Sequence, residues 1–165
     1  MSAGVSVLST ARTMSGPAEG GPAPQAVAAV IDSLRRGVRL VVVDLARHLG
    51  PEVHAVLDVA TLVVIVVPAE VRAAAAAAHV ASEVTSRVGD VRLLVRGPSP
   101  SGLPAEAIAE QVGLQLQGWL PAEPGLAEAL DRGDLPARSG RGPLARACRA
   151  LLDELVPARS TAVKA

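Results

Sequence analysis

Phenylalanine and tyrosine are absent from the 165 residues, and Trp119 is the single aromatic side chain. That argues against an aromatic-lined sugar site or a platform for stacking bases. Lysine is equally scarce: Lys164 stands alone at the C-terminus and every other basic residue is arginine. No lysine within the body of the chain is therefore available to grip a phosphate or to act in catalysis. The one cysteine, Cys148, permits neither an internal disulfide nor a cysteine-based zinc cluster, which fits a reducing compartment. It falls within a helical pattern with no histidine beside it, so a buried structural thiol is expected. Charge of one sign is missing as well. Sixteen basic and sixteen acidic residues cancel, leaving no global field to recruit nucleic acid or an anionic membrane. Long apolar runs are lacking too. The longest, residues 61–68, supplies about a third of what a bilayer-spanning helix needs, and residues 1–23 carry no secretory signal. A cytoplasmic protein is expected, with no nucleic-acid partner and at most peripheral membrane contact.

What is present is small and aliphatic. Half of the chain is apolar, so Ala, Val and Leu must build the core of what its length suits to one domain. Apolar runs alternate with helical stretches. Strands are expected at residues 4–8 (GVSVL), 39–45 (RLVVVDL), 61–67 (TLVVIVV), 91–96 (VRLLVR) and 114–120. Helical spacing appears at 24–36, 51–59, 69–87, 104–112, 124–132 and 143–156, several of them opening on Pro. Six consecutive alanines, Ala73 to Ala78, suit close approach of a helix to a sheet. Residues 1–23 read as a short strand plus a flexible loop, 24–156 as an α/β domain, and 157–165 as a disordered tail. A Gly/Pro/Arg linker is expected over 133–142. Single helices between strands imply right-handed crossovers and a mostly parallel sheet with helices on both faces. The last helix, with Leu144, Cys148, Leu151, Leu152 and Leu155 on one stripe, should dock on that sheet.

In such sheets ligands bind beyond the carboxyl ends of the strands. Asp44, after four apolar residues, is the sharpest candidate, as a strand-tip carboxylate suited to a magnesium ion. Its alternative role is to cap the following turn. Arg96 ends a later strand, before the Pro-rich loop 97–102, and lines a pocket there or stands in solvent. His48 reads as a solvated loop histidine, and His48 with His54 lacks zinc-ligand spacing. No Gly-x-Ser-x-Gly elbow is present. Nor is there a Gly-x-x-x-x-Gly-Lys phosphate cradle, so ATP hydrolysis by these residues is not expected.

The order of segments nevertheless resembles the later part of the MinD/ParA superfamily of deviant Walker ATPases, closest to its CpaE-like, septum site-determining branch. The likeness rests on Val5-Ser6-Val7-Leu8, on Val41-Val42-Val43-Asp44-Leu45, on Leu62 to Pro68, and on Leu93-Leu94-Val95-Arg96-Gly97-Pro98. It continues through Gly118-Trp119-Leu120-Pro121-Ala122-Glu123-Pro124-Gly125 and runs on to Gly133-Asp134-Leu135-Pro136. The resemblance implies a P-loop NTPase-like fold and assigns Asp44 to a Walker B-like magnesium site. Arg96 stands where the family has a base-contacting Asn, and Pro121 and Glu123 fall in the segment near the base. The family's phosphate loop would precede Val5. Either a segment carrying it is missing, which makes ATP and magnesium cofactors only when it is supplied, or the chain is a degenerate copy that works without nucleotide. The resemblance implies a regulator of septum placement that contacts proteins of the division or secretion machinery and pairs with a second copy. Loss of the central strand that carries that loop implies an unpaired sheet edge and a marginal or dimer-dependent domain.

Overall fold

The computed structural model describes residues 4–9, 22–134 and 140–156. Among them the chain forms α1 (Pro24–Gly37), α2 (Pro51–Leu57), β1 (Val63–Pro68), α3 (Val71–Thr85) and β2 (Val91–Arg96). There follow α4 (Ala105–Val112), β3 (Gln115–Leu120), α5 (Leu126–Asp131) and α6 (Pro143–Leu155). The three strands lie in the order β1-β2-β3 and are all parallel. The protein is therefore α/β, as the alternation of runs predicts.

Residue alternation gives the sheet two distinct faces. Leu93 and Val95 of β2, with Val67 of β1, are fully or nearly fully buried against Ala74, Ala77 and Ala81 of α3 and Ile108 and Ala109 of α4. Alanines let α3 lie close to the valines beneath it, which is the purpose of the six-alanine run. A second cluster joins Val53 and Leu57 of α2 to Val84 and Val88 at the end of α3 and to Val91 at the start of β2. Two surface ties reinforce that junction: His54 Nε2 lies 2.8 Å from Glu83 Oε1, and Arg87 donates to Asp58 at 2.9 Å.

The opposite face carries Arg92, Leu94 and Arg96 of β2 with Val64 and Val66 of β1, register neighbours across the ladder. α6 reaches this face over β3 and Arg92. The Arg92 guanidinium donates to both oxygens of Asp90 (2.8 and 2.7 Å), to Gln117 (2.9 Å) and to Glu154 of α6 (2.7 Å). At the other end of α6, Glu123 accepts a hydrogen bond from the Leu144 N–H at 2.8 Å. That carboxylate satisfies one of the amides a helix leaves unpaired in its first turn. α6 is thus tied to the sheet at both ends, but the stripe expected to face the sheet does not: Leu152, Leu155 and Cys148 are exposed and Ala145 is the residue buried.

Two expected strands are not strands. Residues 4–8 and 39–45 have irregular backbone and join no ladder. An apolar run becomes a strand only when a neighbour takes its backbone donors and acceptors, and neither run has one among the described residues. Their side chains show the consequence, with Val5 and Val7 almost fully exposed and Val42 84% exposed. Cys148 is also exposed, because α6 buries Ala145 and turns Cys148 outward. The expected loop over 9–22 and linker over 133–142 lie partly outside the described residues, and the tail over 157–165 lies wholly outside them.

Candidate functional site

Three loops meet at the carboxyl ends of the strands, and the backbone ladder runs on into them. Ala69 N–H donates to Arg96 O at 2.9 Å, and Gly97 N–H donates to Leu120 O at 2.9 Å. Gly97 is buried and its peptide bond to Pro98 is cis. The Trp119 ring lies over it so closely that a Cβ at position 97 would fall 2.5 Å from Trp119 Cζ2. Glycine is required by that approach, independently of backbone conformation. Between this ring and the first turn of α4 opens a shallow cleft of about 250 Å³, lined by Ser99, Gly102, Leu103, Pro104, Glu106 and Trp119 among others. The Ser99 hydroxyl is buried with no hydrogen-bond partner, which buried polar atoms seldom lack.

The expected site residues separate. Arg96 and Pro121 are exposed at the ends of β2 and β3, flanking the loops that form the cleft. Glu123 follows Pro121 by two residues, and one of its carboxylate oxygens is engaged by the α6 amide. Asp44 is exposed on the irregular segment before α2. Its neighbour Leu45 packs against the cluster of Val53, Leu57, Val84, Val88 and Val91. The strand-tip geometry that recommended Asp44 is absent, because residues 39–45 form no strand. Among the described residues no group of three or more His, Cys, Asp or Glu is placed to hold a metal ion. No lysine-bearing phosphate cradle occurs in the sequence.

Two residues matter more than their local sequence suggests. Arg92 reads simply as a strand residue, yet it ties β2 to β3 and α6. A guanidinium inside an apolar strand signals a carboxylate partner, but Glu154 is too distant in sequence to be identified from spacing. Trp119 could have been singled out as the lone aromatic beside a Gly/Pro-rich tail.

Fold and site together describe a small parallel α/β domain with a shallow cleft at the carboxyl ends of its strands and, among the described residues, no strand beyond β1. No family model matches the chain. It is similar to two proteins of Mycobacterium tuberculosis, Uncharacterized protein MT3760 of strain CDC 1551 / Oshkosh and Uncharacterized protein Rv3660c of strain H37Rv. Each is 45% identical over 157 residues, a match that takes in 95% of this chain and 43% of the relative. The chain thus spans less than half the length of the curated relatives it matches. No described helix is long and apolar enough to cross a membrane.

Proposed function

We propose that the chain is an α/β module of a MinD/ParA-like, CpaE-branch regulator of septum placement, acting through protein contacts without a phosphate-binding loop of its own. The ordered motifs support the family reading, and fold alone would not. The observation that carries the contact-based mode of action is the sheet's open side. β1 is apolar from Val63 to Val67, its outer edge has no partner among the described residues, and Val66 is 53% exposed. Apolar surface beside an unpaired edge binds protein. Its partners would be components of the division or secretion machinery, met in the cytoplasm or peripherally at the division site. The test is a fluorescent fusion in the source cells, together with depletion of the protein. Focal signal at the pole or division plane with altered septum spacing is expected. A diffuse signal with unchanged division would overturn the reading, and defects confined to pilus or secretion assembly would move it to that branch of the same fold.

A second reading is favoured by length. Since the match takes in 43% of each relative, the chain also fits the later part of an ATP-binding MinD/ParA-type ATPase. The phosphate loop would then lie outside these residues. Magnesium-dependent ATP turnover by a full-length relative, lost when the aspartate matching Asp44 becomes Ala, would support it.

A further inference from the structure

We infer that the cleft beside Trp119 is a receptor for one cationic side chain, an arginine presented by a partner protein. The inference stands on the cleft's geometry and chemistry, independently of a role in septum placement.

The cleft lies on the α4 side of the sheet. Trp119 is the register neighbour of Val95, which is buried in the cluster with α3 and α4, so its ring emerges on that face. Arg96 and Leu120, the next pair along, turn to the other face. Glu123 is taken up by α6. None of Arg96, Pro121 and Glu123 lines this cleft.

What lines the cleft decides what it can hold. At about 250 Å³ it is smaller than the roughly 300–1,000 Å³ of pockets for small-molecule ligands, which suits a single side chain. Leu103, Pro104 and Ala105 give it apolar walls for the methylene stem of a long side chain. Trp119 is 42% exposed, and the Gly97 backbone packed against its ring holds it in place. An indole face attracts a cation. Of the lining residues Glu106 alone is charged, and its carboxylate has no hydrogen-bond or ion-pair partner among the described residues. That carboxylate repels phosphate and other anions, which the first turn of a helix would otherwise attract.

Arginine suits these groups better than lysine. Its planar guanidinium stacks on an aromatic ring while its N–H groups, in the same plane, reach a carboxylate. An ammonium is more strongly hydrated and has no plane to stack. The Ser99 hydroxyl, buried without a partner in a residue that lines the cleft, becomes an acceptor for a further guanidinium N–H when it rotates outward. Glu106 also lies in the first turn of α4, where a negative charge complements the helix dipole. That role alone would stabilise α4 and bind nothing, and the test separates the two.

Trp119 is the single aromatic residue, so tryptophan emission reads this cleft and nothing else in the chain. The test is a titration of the purified 165-residue chain with Nα-acetyl-L-arginine amide, beside its uncharged citrulline isostere and inorganic phosphate. A saturable change in emission is expected with the arginine probe, at least about tenfold weaker with citrulline and absent with phosphate. Glu106→Gln should weaken the arginine probe by about tenfold and keep the parent's circular dichroism. Glu110→Gln, one turn further along α4 and outside the cleft, should leave the affinity unchanged. Added salt should weaken the arginine probe in the unaltered chain, a check that needs no variant to fold. Equal binding of arginine and citrulline would overturn the inference, as would binding of phosphate, an affinity indifferent to Glu106→Gln and to salt, or no saturable change at all. It would equally fall if emission shifted with the chain's own concentration and Glu106→Gln removed that shift, because the occupant would then be a second copy.

Discussion

At the scale of single residues, the most connected side chain is Arg92. Its guanidinium bridges Asp90, Gln117 and Glu154, so one side chain links β2 to β3 and to α6. The hydrogen bond from Arg92 holds the Asp90 carboxyl below its ordinary value of 3.8; partial burial opposes this and the positive charge of Arg92 adds to it. The same partners raise the Arg92 pKa, so the guanidinium remains charged at any working pH. Because the folded Asp90 binds its proton less readily than the unfolded one, its ionised form contributes fully to stability above the ordinary value. That contribution drains away as the pH falls through 3.8 toward the lower folded value. Asp90→Asn should therefore destabilise the chain at neutral pH, and the gap in denaturation midpoint between variant and parent should close well below 3.8. Urea titrations across that range check it, and a gap that persisted into acid would show that Asp90 is not the titrating member of the tie.

At the scale of elements, α3 shows how a sequence of little variety still specifies one packing. Ala74, Ala77 and Ala81 are buried on the sheet, while Ala75 and Ala76 face solvent within the same run. Ala77→Leu forces a branched side chain into the core shared by α3, α4 and the sheet, and overpacking of this kind costs about 1–3 kcal/mol. Ala75→Leu, on the exposed side, should stay within about 0.5 kcal/mol of the parent. Equal effects at the two positions in thermal melts would mean that α3 does not lie as described. The segments β1 and β2 are legible as apolar runs and β3 as an alternating one, each set between helices whose periodicity is clear. The runs at 4–8 and 39–45 look no different locally. What separates them is a neighbouring strand, which no local pattern reports. The site follows the same rule. The carboxyl-end loops bearing Arg96 and Pro121 follow from topology, whereas the use of Glu123 as a helix cap depends on α6 folding back across the sheet. Asp44 is the sharpest of the strand-tip candidates only on the premise of a strand that does not form.

At the scale of the whole molecule, a three-stranded sheet with apolar surface left at one edge predicts a fold close to the margin of stability. Natural domains retain only about 5–15 kcal/mol after conformational entropy is offset. Here the valines of β1, Val66 above all, and those at 42 and 43 remain partly or largely in water, so burial that would stabilise a completed sheet is forgone. Anything that binds this open side in the folded state and not in the unfolded one must raise stability by mass action, by about 2.7 kcal/mol at a hundred times its dissociation constant. The 165-residue chain should therefore melt early and broadly by itself. It should gain a later, sharper transition when the unmatched polypeptide of a relative is titrated in, with the midpoint climbing as the logarithm of the added concentration. Calorimetry on dilute samples checks both halves of this expectation. A high, cooperative midpoint for the isolated monomer would mean that the core built by α3, α4 and β2 suffices, and that the exposed valines cost the fold nothing.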